Sequence, residues 1–94
     1  MHVISLRALR DFWLEYPRAT GPLRSWYKTT KKAEWENFAE VKAVYAAADQ
    51  VGPYTIFDIG GNKWRLITAI HYNRKKVFVR HVFTHAQYDR WKAG

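Results

Sequence analysis

The order of structural signals predicts an α+β fold: a short strand, two or three helices, a three-stranded antiparallel meander and a closing helix. Apolar residues recur at helical spacing as far as Gly52-Pro53, and strand-forming residues alternate beyond it. Gly60-Gly61-Asn62 and Asn73 to Lys76 then cut the second half where hairpin turns would fall. Helices segregated from an antiparallel sheet define the α+β class, here with the N-terminal helices packed on one side and a short C-terminal helix. At 94 residues the chain is expected to form a single domain, 1–94.

His2 to Ile4 reads as a short strand that joins the meander's sheet. Ser5 suits a helix N-cap, and Leu6, Leu9, Trp13 and Tyr16 follow at helical spacing. Pro17 is expected to end that helix. Pro22 suits the first position of a second, whose stripe is Leu23, Trp26, Tyr27 and Thr30. Lys31 to Glu36 reads as a charged linker, which predicts an exposed Trp35. Asn37 with Glu40 three residues on resembles a capping box. Phe38, Val41, Val44 and Tyr45 are expected to face inward on the short helix that follows. Gly52-Pro53 is read as a breaker. Tyr54 to Ile59, Lys63 to Tyr72 and Val77 to Phe83 are the three strands. Thr84 to Trp91 is the final helix.

Side chains alternate across a strand, so parity sorts them. Trp64, Leu66, Thr68, Ile70 and Tyr72 share one face, and Arg65, Ile67, Ala69 and His71 the other. In the last strand, Phe78, Arg80 and Val82 share one face, and Val77, Val79, His81 and Phe83 the other. Both strands are apolar on both faces, so the sheet is covered on one side and partly on the other.

The net charge is +8, and residues 59–94 hold eight Lys or Arg against one acid, Asp89. That clustering points to a polyanionic partner. There is no cysteine, hence no disulfide framework and no thiolate metal site. No apolar run approaches the roughly 20 residues that span a bilayer. The first residues lack the pattern of a signal peptide, so a cytoplasmic location is expected.

Arg65 and Arg80 sit among apolar residues, where a guanidinium needs a partner. Each is either paired with a carboxylate, Asp58 or Asp89, or a strand-edge arginine whose head reaches solvent, or part of a phosphate-holding floor with Lys63. Thr84-His85-Ala86-Gln87 fits the S/T-x-x-E/Q capping box and places His85 at the first helical position. The positive helix end disfavours the imidazolium, so a neutral base and an anion site would coincide there. The plainer alternative is a surface histidine. Tyr88 is either a proton donor or base-stacking ring, or the partner of Phe83 in a hydrophobic staple. Arg24, Lys28, Lys31 and Lys32 form either an RNA-contacting or a merely solvated helix face. His81 and His85 straddle a strand and a helix start with no acidic cluster beside them, which speaks against a metal site.

The segments FDIGGNKWRLI and VFVRHVFTHAQYD, with MHVISLRALRDFWLEYP and NFAEVKAVYAAAD, resemble the HigB family of bacterial toxins. That family lies within the RelE-like group of messenger-RNA endonucleases, and the resemblance covers nearly the whole chain. It rests most on the glycine pair followed by Asn62 and Arg65, and on the Thr84-His85 to Tyr88-Asp89 ending. It implies a helix pair on a small antiparallel sheet. It further implies metal-independent cleavage of translated mRNA in the 70S ribosome, with no cofactor. The implied partner is a HigA-like helix-turn-helix antitoxin, through which operator DNA would be contacted. Arg65, Arg80, His85 and Tyr88 are then the expected catalytic set, and Asn62, Lys63, Arg24, Lys28, Lys31 and Lys32 the RNA-binding set. The competing reading is a basic RNA-binding module or ribosome-associated protein without catalysis.

Overall fold

The change of period at Gly52-Pro53 divides helices from sheet in the computed structural model, which describes residues 1–93. The elements are β1 (His2–Ile4), α1 (Leu6–Glu15), α2 (Thr20–Lys32), α3 (Phe38–Val44), β2 (Asp49–Val51), β3 (Tyr54–Ile59), β4 (Trp64–His71), β5 (Lys76–Thr84) and α4 (His85–Ala93). The sheet order is β1-β5-β4-β3-β2. β1 runs parallel to β5, while β2–β3, β3–β4 and β4–β5 are antiparallel. The first strand thus does join the meander. A fifth strand, β2, was not expected. It is polar and exposed, and Gly52-Pro53, read as a breaker, is the turn that pairs Val51 with Tyr54.

Alternation along β3 sends Phe57 and Ile59 one way and Ile56 the other. The first pair meets Leu9 and Phe12 of α1, Leu23 and Trp26 of α2 and Val41 of α3 in the main core, with Leu66, Val77 and Val79. Trp26 meets Phe57 edge-on at 5.4 Å between ring centroids. Ile56 and Ile67 form a second, smaller cluster on the opposite face, closed by Tyr88 of α4 with Tyr54, Phe83 and Trp91 around it. The sheet therefore carries α1 and α2 on one face and α4 on the other. Burial on both faces is why these strands lack a polar side.

Several expectations change in detail. Pro17 opens a 3₁₀ turn, Pro17–Ala19, which runs into α2 at Thr20. Pro22 is therefore third in the helix, still within the first turn, where its missing N–H breaks no bond. Ser5 stands at the N-cap of α1 without a side-chain bond to the helix, whereas Asn37 accepts from the Glu40 N–H at 3.0 Å. Trp35 is buried, not exposed. Its ring stacks on Phe57 at 6.4 Å and meets Tyr45 edge-on, and Lys75 donates to its carbonyl at 3.1 Å. Charged neighbours made Trp35 look like linker, but an indole at a chain reversal is worth more inside. Val44 is 55% exposed. It lies about 100° round the helix from Tyr45, which takes the inward place.

The parity assigned to the last strand also changes. Ile67 pairs with His81 but Thr68 pairs with Val79, so a β-bulge opens at Arg80. Phe78 and Val82 are thereby placed on opposite faces: Phe78 is opposite Ala69, and Val82 is opposite Leu66. Val77 and Val79 face the main core, while His81 and Phe83 face the α4 side with Arg65 and Ile67. One extra residue re-aims everything after it.

Gly60 fixes the β3–β4 hairpin. Its φ is +65°, and a Cβ there would lie 2.5 Å from Cζ3 of Trp64, itself buried. Gly60→Ala combines left-handed strain with that clash, so we expect a loss of about 2 kcal/mol or more in urea unfolding, with Gly61→Ala costing less.

Candidate functional site

Arg65 stands opposite Asp58 in the β3–β4 ladder, on the face that carries α4. Its Nε lies 3.2 Å from Oδ1 of Asp58. Nη1 donates to the carbonyls of Asn62 and Trp64 at 3.2 and 3.3 Å, and Nη2 donates to Oδ1 of Asn62. The Tyr88 ring covers the guanidinium, with its centroid 5.5 Å from Cζ. The side chain is only 11% exposed. Of the partners weighed for Arg65, the structure supplies Asp58. Asn62 and Tyr88 complete the enclosure, so three of the expected site residues do meet, as a clamp that joins β3, the hairpin and α4.

His85 is the first residue of α4, and both halves of the capping box form. The Thr84 N–H donates to Oε1 of Gln87 at 2.9 Å, and the Gln87 N–H donates to Oγ1 of Thr84 at 3.2 Å. The box consumes two of the N–H donors at this helix end that an anion would use. Nδ1 of His85 lies 3.2 Å from Oδ2 of Asp89, one turn on, and both side chains are more than half exposed. From sequence, Asp89 is a candidate arginine partner and part of the family ending, whereas the structure sets it beside His85. Its i,i+4 spacing from His85 was the available signal.

Tyr88, three residues after His85, is buried against Ile56 and Ile67, in the cluster that Phe83 also packs on. Both residues of the proposed staple thus join one cluster. Lys63 is exposed in the hairpin turn, with Nζ 5.9 Å from the Trp64 ring. Trp64 pairs with Thr84 at the end of the β4–β5 ladder, so Lys63 and His85 each extend one residue beyond the same rung. Arg80 is exposed, and its Cζ lies 5.2 Å from the Phe78 ring centroid.

The α2 cations are elsewhere. Arg24, Lys28, Lys31 and Lys32 are exposed on the helical layer, across the sheet from α4. Arg24, Lys28 and Lys31, with Arg10, Trp13 and Tyr27, line a groove of about 830 Å³ between α1 and α2. The structure does not bring these residues to Arg65 or His85. Among the described residues, no group of three or more His, Asp or Glu is placed to hold a metal ion, and no helix is long and apolar enough to cross a membrane.

A helix pair packed on one face of a small sheet is the arrangement that the resemblance to RelE-like toxins implies. Residues 19–91 match the model of a family described as the RelE-like toxic component of a toxin–antitoxin system, and the chain belongs to this HigB toxin family. It is similar to the mRNA interferase toxin HigB of Escherichia coli K12, at 29% identity over 99% of this chain and 92% of that protein. The mRNA interferase HigB of E. coli O6:H1 is also 29% identical, over 96% of this chain and 90% of that protein. The Shigella flexneri protein of the same name matches as the K12 protein does. As a toxin of such a system, the chain has an antitoxin as its partner.

Asp58→Ala leaves the buried guanidinium without its counter-charge. We expect a loss of about 2 kcal/mol in urea unfolding, and a smaller loss for Asp58→Asn, which keeps an acceptor.

Proposed function

We propose that this chain is an endoribonuclease of the mRNA interferase type, which cuts translated mRNA on the ribosome through attack by the RNA's own 2′-hydroxyl. The exposed His85–Asp89 pair at the start of α4 is the observation that carries this reading. The Asp89 carboxylate, 3.2 Å from Nδ1 of His85, favours the tautomer with its proton on Nδ1, which leaves Nε2 to take the 2′-hydroxyl proton. The 2′-oxygen bonds to phosphorus and the bond to the 5′-oxygen breaks. The products are a 2′,3′-cyclic phosphate and a 5′-hydroxyl. Lys63, beyond the same rung as His85, is the candidate donor of a proton to the leaving oxygen. No step in this scheme requires a metal.

The arginines divide the remaining work. Lys63, beyond the same rung as His85, faces developing negative charge at the phosphate, and Arg80, turned over Phe78 further back along β5, holds the RNA beside the cut. Arg65, enclosed by Asp58, Asn62 and Tyr88, acts through them as a positioning residue that holds the hairpin to α4. Tyr88 serves through its ring. Removal of Arg65 therefore lowers stability together with activity. Arg24, Lys28, Lys31 and Lys32, on the other face, suit ribosomal RNA, whose phosphates attract such a surface at long range. We assign the neutralising partner as a HigA-like antitoxin with a helix-turn-helix domain that carries the pair to operator DNA, with both acting in the cytoplasm.

Primer extension on a translated message after induced expression tests the reading. Wild type is expected to arrest growth and cut within the reading frame. His85→Ala is expected to lose cutting by at least 100-fold with unchanged thermal stability, and Asp89→Asn to lose less. Wild-type-like cuts in the folded His85→Ala protein would remove His85 from the chemistry. RNA binding with no cuts by wild type would favour the non-catalytic module.

A further inference from the structure

β5 carries more ring and cation character on its α4-side face than packing requires. The bulge turns two successive residues, Arg80 and His81, to this one face, where Arg80 lies over Phe78 and His81 lies over Phe83. The His81 imidazole stacks on the Phe83 ring at 4.9 Å and 11° between planes, and Trp91 of α4 supports it at 5.9 Å. Further along, His71 of β4 meets Phe78 edge-on at 5.0 Å. His71, Arg80 and His81 are exposed, and Phe78 is half-buried. α4 covers the neighbouring part of this face through Tyr88 on Ile56 and Ile67. β1 pairs with β5 only at Lys76 to Phe78, so from Val79 onward β5 has β4 on one side alone.

We propose that this open half of the sheet is a stacking platform for unpaired RNA bases, with His81, Arg80, Phe78 and His71 as its successive supports. This rests on the reading of the chain as an RNA-acting protein. Bases splayed from a single strand stack on aromatic and imidazole rings and on guanidinium planes. A ring backed by a second ring is already oriented, so little freedom is lost when a base joins the stack. His71, Ala69, Lys76, Phe78, Arg80 and His81 include no acid, which suits a phosphate chain running beside the bases. The order of positions gives direction. Phe83 is opposite Arg65, next to the hairpin–α4 clamp, and Phe78 is opposite Ala69, four residues along β4 and so about 13 Å away. The platform thus leads away from the end that carries Lys63 and His85, and would hold nucleotides that flank the cut.

The test is the anisotropy of a fluorescent 2′-O-methyl RNA dodecamer, which cannot supply an attacking hydroxyl, so that binding is read without cutting. The same sequence as a duplex controls for charge. His81→Ala and His71→Ala are each expected to weaken single-strand binding about tenfold. His81→Phe, which restores a ring, is expected to stay within about twofold of wild type, and duplex binding is expected not to change. No single-strand binding by wild type, unchanged affinity in both alanine variants, or equal losses for strand and duplex would each overturn the platform. Unchanged RNA affinity with weakened binding of the cognate antitoxin would also overturn it and give the face to a protein partner. The two readings fail separately. Ring-dependent binding by a wild type that cuts nothing would keep the platform and refute the nuclease, whereas cutting without ring dependence would do the reverse.

Discussion

A guanidinium taken out of water must find acceptors, and Arg65 finds them on separate elements. Asp58 of β3 supplies the counter-charge, Asn62 supplies a side-chain and a main-chain oxygen from the hairpin, and Tyr88 of α4 covers the charge with a ring. The arrangement ties the direction of the hairpin to the seat of α4, and the seat of α4 sets where His85 projects. Gly60 is part of the same constraint, because only a residue without Cβ lets the turn close over Trp64. A change that loosens Arg65 would be felt at His85 although the two are not bonded. Severe loss of function at Arg65 would therefore not by itself show that its charge meets the substrate.

The sheet separates two basic surfaces. The α1–α2 groove, with Arg10, Arg24, Lys28 and Lys31, lies over the main core, and the His85 face lies over the second cluster. In the proposed function, one surface meets ribosomal RNA while the other works on a single strand. The separation follows from Ile56 and Phe57, adjacent residues that alternation sends to opposite sides. Without apolar residues at both parities of β3 and β4, α4 would have no seat.

Much of this was legible in the sequence. The element order follows from the change of period, and the capping boxes at Asn37 and Thr84 mark two helix starts to within a residue. The first strand was expected in the sheet, though not specifically beside β5, and β2, short and polar, gave no signal. Trp35 was misread because its neighbours are charged, whereas its burial depends on Phe57 and Tyr45, distant in sequence. The bulge at Arg80 left no trace in local composition, and it reverses the face of each residue assigned after it. For the site, His85 was legible through its capping box and Asp58 as a partner for Arg65. The tie between His85 and Asp89 needed only helical spacing. The enclosure of Arg65 by Tyr88 needed the fold.

The central claim is that His85 and Asp89 prepare the RNA's own hydroxyl as the nucleophile. Its most direct test is a ribosome programmed with a message that carries one 2′-deoxynucleotide 5′ to a mapped cut. The account predicts that cutting disappears at that bond and continues at unmodified sites. Undiminished cutting at the deoxy position would mean that water or another group attacks the phosphorus, and would contradict the account.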